Sequence, residues 1–189
     1  VIGGKAKGRK LKLVPGDSTR PVRDMVKEAL FNILGQWVEG TVWLDLFAGT
    51  GSVGIEALSR GAARCLFLDT SRTAVRTIHE NLALTGLHTY AEVRRADAFT
   101  LLSNDPGPEE QSDLIYIAPP QYKGMWRRAL ALVDARPEWL QPGGLAVVQI
   151  DPQEYEEAAL GTLHLADQRT YGNTMLCFYE RRDEESADE

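Results

Sequence analysis

Asp45, Gly49, Gly51 and Gly54 stand in the run DLFAGTGSVG, with the carboxylate four residues ahead of the first glycine. The glycines satisfy G-x-G-x-x-G, a loop that brings backbone close to a ligand at the start of a helix. Asp69 follows twenty residues after Gly49, at the end of the next apolar run, where a carboxylate can bond ribose hydroxyls. These features alone fit a nicotinamide oxidoreductase. Asp45 argues against it. A carboxylate beside the loop would repel a pyrophosphate, but it suits a ligand with an ammonium group and no phosphate.

S-adenosylmethionine (SAM) is a ligand of that kind, with an ammonium, a sulfonium, a ribose and an adenine. The spacing D-x-x-x-G-x-G is that of the SAM loop in Rossmann-like methyltransferases, so SAM is favoured over NAD. If the glycines made only a tight turn, Asp45 would be expected to lie buried without a partner, at a cost. In RRADAF, Asp97 falls where an acid could accept the adenine amino group, with the Ala98 amide available to a ring nitrogen. An ordinary N-cap is the equal alternative for Asp97.

A second constellation, Ala118-Pro119-Pro120-Gln121-Tyr122, follows the fourth strand-like run. Many amino-directed methyltransferases have Asp or Asn, two prolines and an aromatic residue at this place. An exocyclic base amine is a poor nucleophile because its lone pair is delocalised into the ring. An oxygen acceptor can orient it, prolines fix the backbone carbonyls, and an aromatic ring stacks on the base. Ala118 has no side-chain oxygen, so only its carbonyl, that of Pro119 and the Tyr122 ring remain. A rigid strand-ending loop is the competing reading.

The elements that must position these residues alternate. TVWLDLF, RCLFLD, AEVRRAD, DLIYIA and LAVVQID read as strands, and helices are expected through IEALSR, over about Arg72–Leu84 (stopped by Gly86) and over MWRRALALVDA. GTLHLADQR and MLCFYER have no helix between them and suggest an antiparallel edge hairpin. The expected fold class is α/β: a Rossmann-like SAM-dependent methyltransferase fold with a mostly parallel seven-stranded sheet. Residues 1–14, punctuated by Gly3-Gly4 and Gly8, read as an N-terminal β-hairpin. Asp17-Ser18-Thr19 and Pro21 open a helix whose apolar positions are Val22, Met25, Val26, Ala29, Leu30, Ile33, Leu34 and Trp37. The expected organisation is an extension over 1–40, a catalytic domain over 41–181 and an acidic tail over 182–189.

The composition narrows the classes. The 189 residues are 43% hydrophobic and 25% charged, which suits one globular domain rather than a disordered chain. No apolar run approaches the ~20 residues of a membrane span, and a secretory signal segment is not expected. The two cysteines, Cys65 and Cys177, form neither a CxxC pair nor a metal spacing. No metal site and a cytoplasmic location are therefore expected. The net charge is −6, yet the first thirty residues hold eight basic side chains against three acidic ones. A basic arm on an acidic body permits a local phosphate-binding edge, or is simply a solvated tail.

The string Ile2-Gly3-Gly4, Lys7-Gly8-Arg9, Leu11, Pro15, Thr19-Arg20-Pro21 and Glu28-Ala-Leu-Phe-Asn-Ile-Leu34 resembles the RsmD-type bacterial small-subunit ribosomal RNA methyltransferases. The resemblance continues through DLFAGTGSVGIEALSRGA, Asp69, Asp97 and PPQY, over roughly residues 2–180. It implies methyl transfer from SAM to the N2 amine of a guanine. It implies a SAM pocket lined by Asp45, Phe47, Gly49, Gly51, Asp69 and Asp97, with Thr19 and Arg20 closing over the methionine end. It implies RNA phosphate contacts by Lys5, Lys7, Arg9, Lys10 and Lys12, and Tyr122 stacked on a flipped guanine. Ala118, Pro119, Pro120 and Tyr122 are the candidate catalytic residues. The partner is then small-subunit ribosomal RNA or an assembly particle, and a monomer is expected only because nothing in the sequence suggests otherwise. Ala118 departs from the family acid, which predicts slow or absent turnover with SAM binding kept. The rival readings are an RNA-binding module that retains the SAM pocket, a nicotinamide oxidoreductase and a DNA methyltransferase. The small size and lack of a target-recognition domain count against the last.

Overall fold

Residues 1–16 and 24–182 are described by a computed structural model of the chain. The expected helix opening at Asp17–Pro21, with Thr19 and Arg20, lies outside the described residues, as does the tail from 183 onward. The chain divides into two compact units, Val1–Ala98 and Phe99–Glu189.

In the first unit three parallel strands, β1 (Val42–Asp45), β2 (Arg64–Asp69) and β3 (Ala91–Arg95), lie in the order β3-β2-β1. Between them run α2 (Ser52–Ser59) and α3 (Arg72–Thr85), after α1 (Asp24–Leu34). The strand residues Trp43, Leu44, Phe67 and Leu68 are buried, as are Ile55 of α2 and Ile78 of α3. Burial of such side chains on both faces is what lets a short parallel sheet persist. Ser71 caps α3 by accepting the Ala74 N–H at 3.2 Å, and Gly86 ends it in the left-handed region, as expected of that glycine.

In the second unit β4 (Ser112–Ile117) pairs in parallel with β5 (Leu140–Ile150). β7 (Thr174–Arg181) runs antiparallel between β5 and β6 (Leu163–Tyr171), and α5 (Met125–Ala135) follows β4. A short helix, α4 (Ala98–Leu102), comes after β3. The fold class is the expected α/β one, with seven strands that are mostly parallel and an antiparallel edge pair. Cys65 and Cys177 are both free and buried.

Two expectations need correction. Residues 1–14 form no strand ladder. The Val1 amino group donates to the Arg9 carbonyl at 2.6 Å and the Gly8 N–H to the Val1 carbonyl at 2.9 Å, so the segment closes as a hairpin would. The amides a ladder would need are taken by α2. Glu56 accepts the N–H groups of Ile2 and Gly3, at 2.9 and 3.0 Å, and Ser59 Oγ accepts that of Ala6 at 2.9 Å. Side-chain acceptors thus replace the missing strand partner. The second correction concerns the apolar face of α1. Val26, Leu30, Phe31 and Leu34 are buried, but Met25 and Trp37 are exposed. The α-helix stops at Leu34, and a 3-10 turn over Gly35–Val38 rotates Val38 inward in place of Trp37.

No helix among the described residues is long and apolar enough to cross a membrane.

Candidate cofactor loop and target-base loop

The loop between β1 and α2 is built by its glycines. Gly49 and Gly51 have φ of 57° and 81°, a region open to glycine at little cost. A Cβ at Gly49 would meet nothing within 4 Å, so the chain leaves free space there. Gly54 serves packing. A Cβ on it would lie 2.4 Å from the Phe67 ring and 2.8 Å from Cys65 Sγ, so α2 can lie against β2 only without a side chain.

Two carboxylates frame this loop. Asp45, 2% exposed, ends β1. Burial and then the nearby charge of Asp69 push its carboxyl up to about 7, against the opposing backbone N–H groups of Gly54 and Phe47. Those two amides correct the expectation that a turn-only loop would leave Asp45 without a partner. The buried carboxyl is hydrogen-bonded, and it also helps shape the loop. Asp69, at the end of β2, accepts the Gly49 N–H at Oδ2 and the Ser71 N–H at Oδ1, both at 2.9 Å. It therefore holds the glycine loop and the start of α3 in one arrangement. Phe47 is half-buried beside them.

Asp97 is exposed immediately before α4, whose first residue, Ala98, is buried. The end of β3 is tied to the end of β2 by the Ala96 N–H donating to the Asp69 carbonyl at 3.1 Å. The chemistry of this donor set fits an ammonium-bearing ligand. One carboxyl is held up by burial and a second carboxylate, and the glycine backbone leaves room next to it. An anionic pyrophosphate would raise that carboxyl further.

Sequence reasoning missed two polar residues that hold the frame. Asn81 of α3 is fully buried. Its Oδ1 accepts the Lys12 N–H at 2.7 Å, and its Nδ2 donates to the carbonyls of Lys12 and Thr50 at 3.0 and 2.9 Å. One amide thus joins the N-terminal segment to the glycine loop. Glu56 is the other, and Lys27, counted above as basic surface charge, is buried at 3% exposure against it. Lys27 Nζ lies 3.3 Å from Glu56 Oε1 and donates to Ser52 Oγ at 3.0 Å. A signal existed for both. Asn81 falls at the helical spacing of the buried Ala74, Ile78 and Leu82, and Glu56 lies in a helix buried on all sides.

Among the basic residues of the arm, Lys5, Lys7, Arg9, Lys10 and Lys12 are all exposed. Lys5 Nζ stands 5.5 Å from the centroid of the half-exposed Tyr90 ring, and Lys12 pairs with Glu80 at 3.5 Å.

The second constellation lies in the other unit, where Ala118 and Pro119 are half-buried at the end of β4 and Pro120 is exposed. Tyr122 is 62% exposed and has φ of 63°. Its N–H donates to Glu154 Oε1 and its hydroxyl to Asp151 Oδ2, each at 2.6 Å. No group of three or more His, Cys, Asp or Glu that could hold a metal occurs among the described residues.

A family model described as conserved hypothetical protein 95 matches residues 1–180. The Bacillus subtilis protein YlbH is 38% identical over 96% of this chain and 98% of its own length. The ribosomal RNA small subunit methyltransferase D of Haemophilus influenzae is 32% identical, over 92% of this chain and 93% of its own. The chain belongs to the RsmD family of ribosomal RNA methyltransferases. The family's fold agrees with solved structures. The Escherichia coli protein yhhF, 30% identical, superposes with a TM-score of 0.84 over 97% of this chain and 98% of its own. An RNA methyltransferase from Salinibacter ruber, solved with S-adenosyl-L-homocysteine, is 16% identical with a TM-score of 0.65, covers 87% of this chain and 95% of its own, and shares the fold.

Proposed function

We propose that this chain transfers a methyl group from SAM to the exocyclic N2 amine of a guanine in small-subunit ribosomal RNA. The observation that supports the reading is the family match over residues 1–180, together with the buried Asp45 carboxyl beside an open glycine loop. SAM supplies an electrophilic methyl carbon. The chain's residues do the rest. Asp45 takes the ammonium, Asp69 the ribose hydroxyls, Asp97 the adenine amine and the Ala98 amide a ring nitrogen. Phe47, Gly49 and Gly51 line the pocket. Tyr122 stacks on the target base, and the carbonyls of Ala118 and Pro119 orient its amine. The extension over residues 1–40 brings Lys5, Lys7, Arg9, Lys10 and Lys12 to RNA phosphate, which makes affinity fall with salt. The substrate is the RNA or an assembly particle in the cytoplasm, met by a monomer.

Ala118, which lacks a side-chain oxygen, favours one second reading: an RNA-binding module that keeps the cofactor pocket. Incubation with SAM labelled in the methyl group and small-subunit RNA carrying bound ribosomal proteins separates the two. Label recovered in N2-methylguanosine supports transfer. Binding of both ligands with no label in RNA, even after Ala118→Asp, supports the module.

The raised Asp45 carboxyl also sets a pH dependence. Its value lies above the 3.8 of the free group, so the ligand-free fold binds the extra proton between these values. That stabilising contribution is present below about pH 4 and is lost as pH rises through about 7. An ammonium ligand prefers the ionised carboxylate. Calorimetric affinity for SAM should therefore rise about tenfold from pH 6 to pH 8, less any loss as the ligand's own amine begins to deprotonate near pH 8. At pH 6 binding should release close to one proton. An affinity flat across this range would mean that Asp45 does not meet the ammonium.

A further inference from the structure

Tyr122 is the one non-glycine residue with a left-handed backbone among those described, at φ 63°. A bulky L-residue does not hold this conformation unless its surroundings enforce it. Two carboxylates from the segment after β5 do so. Glu154 Oε1 accepts the Tyr122 N–H and Asp151 Oδ2 accepts its hydroxyl proton, each at 2.6 Å. Asp151 is itself fixed, because its Oδ1 accepts the Gln153 N–H at 2.9 Å. Glu154 Oε2 is buried and makes no hydrogen bond among the described residues, so within this carboxylate it is Oε1 that holds Tyr122. The segment is anchored in turn. The Tyr155 ring stacks on the buried Trp126 of α5, with centroids 6.4 Å apart and planes at 18°. The Tyr122 ring, 62% exposed, is therefore held at both its backbone and its hydroxyl while much of its surface stays open.

We propose that Asp151 and Glu154 are positioning residues for the target base: they preset the Tyr122 ring so that a flipped guanine meets a stacking platform already in place. The proposal rests on the reading of Tyr122 as the base-stacking residue. Its physical content is preorganisation. A free tyrosine on a mobile loop would lose rotamer and backbone freedom when the base arrives, and the two carboxylates remove that cost beforehand.

The test compares Asp151→Ala, Glu154→Ala, their conservative forms Asp151→Asn and Glu154→Gln, Tyr122→Phe and Tyr122→Ala. Each full-length protein is assayed for SAM affinity and for affinity to small-subunit RNA in the presence of S-adenosylhomocysteine, which does not depend on turnover. The alanine variants should weaken RNA binding about fivefold or more, the scale of one base–aromatic stack, with SAM affinity within about twofold of the parent. Asp151→Asn and Glu154→Gln should recover most of the loss, because an amide oxygen still accepts the Tyr122 proton. Asp151→Ala should add little on top of Tyr122→Phe, since both break one hydrogen bond. Parental RNA affinity in Asp151→Ala and Glu154→Ala, with Tyr122→Ala weakened, would overturn the positioning role and leave the stacking reading standing. Parental affinity in Tyr122→Ala would overturn the stacking reading itself. Equal losses of SAM and RNA affinity would also overturn the proposal, as they mark general loss of structure.

Discussion

Ala118→Asp should raise the rate of methyl transfer by about 10²–10³, the usual worth of one positioning acceptor at a reacting centre. The residue follows β4 directly and precedes the Pro119-Pro120 pair, so a side chain there is carried by a strand end and a stiff turn. A carboxylate on such a support can hold an amine N–H without first losing much freedom. The gain should appear in kcat, measured as labelled methyl entering RNA under saturating SAM. SAM affinity should stay within about twofold, because the cofactor-loop acids are unchanged. An unchanged rate on RNA that the protein binds would show that position 118 is not where the acceptor belongs.

Glu56→Ala should strongly destabilise the fold, costing about 3–5 kcal/mol. The carboxylate is fully buried and accepts from Ile2 N–H, Gly3 N–H and Arg60 Nε, with Lys27 Nζ 3.3 Å away. Its removal leaves a buried ammonium with only Ser52 Oγ and two backbone amides without their acceptor. Urea midpoints read at constant m would measure the loss. The double change Glu56→Leu with Lys27→Met should cost clearly less than the sum of the single changes, since no lone buried charge remains. A pH effect follows. Although burial alone raises Glu56, the hydrogen bonds from Ile2, Arg60 and Gly3 and the Lys27 charge together hold its carboxyl below the ordinary value. Its contribution is therefore complete above about pH 4.5 and is lost as pH falls through the depressed value. A Glu56→Ala protein as stable as the parent would show that Glu56 does not anchor the N-terminal segment and Lys27 to α2.

The glycine loop between a strand and a helix was legible because its residues are neighbours in sequence. Asp45, Gly49, Gly51 and Gly54 lie within one turn and one helix start, and Asp69 ends the adjacent parallel strand. In register, Asp45 stands opposite Phe67 and Asp69 opposite Arg95, which brings the strand ends to one edge. Strands and helices were legible from their alternation, including the antiparallel pair that lacks a helix between its members. What escaped the sequence depends on partners far along the chain. The N-terminal ladder fails because Glu56 and Ser59, more than fifty residues away, take its amides. Trp37 reads as apolar face only if α1 continues past Leu34. Tyr122 looks like a free loop aromatic until Asp151 and Glu154, 29 and 32 residues on, are seen to hold it. Two acids after a strand give no local sign of what they hold.

The loop between β1 and α2 should hold an ammonium-bearing sulfonium ligand through Asp45. Calorimetric titration at about pH 7.5 with SAM, S-adenosylhomocysteine and NADH tests it most directly. Saturable binding of the first two, no binding of NADH, and about tenfold or greater weakening of SAM by Asp45→Asn is the expected result. Binding of NADH with none of SAM, or SAM affinity untouched by Asp45→Asn, would contradict it.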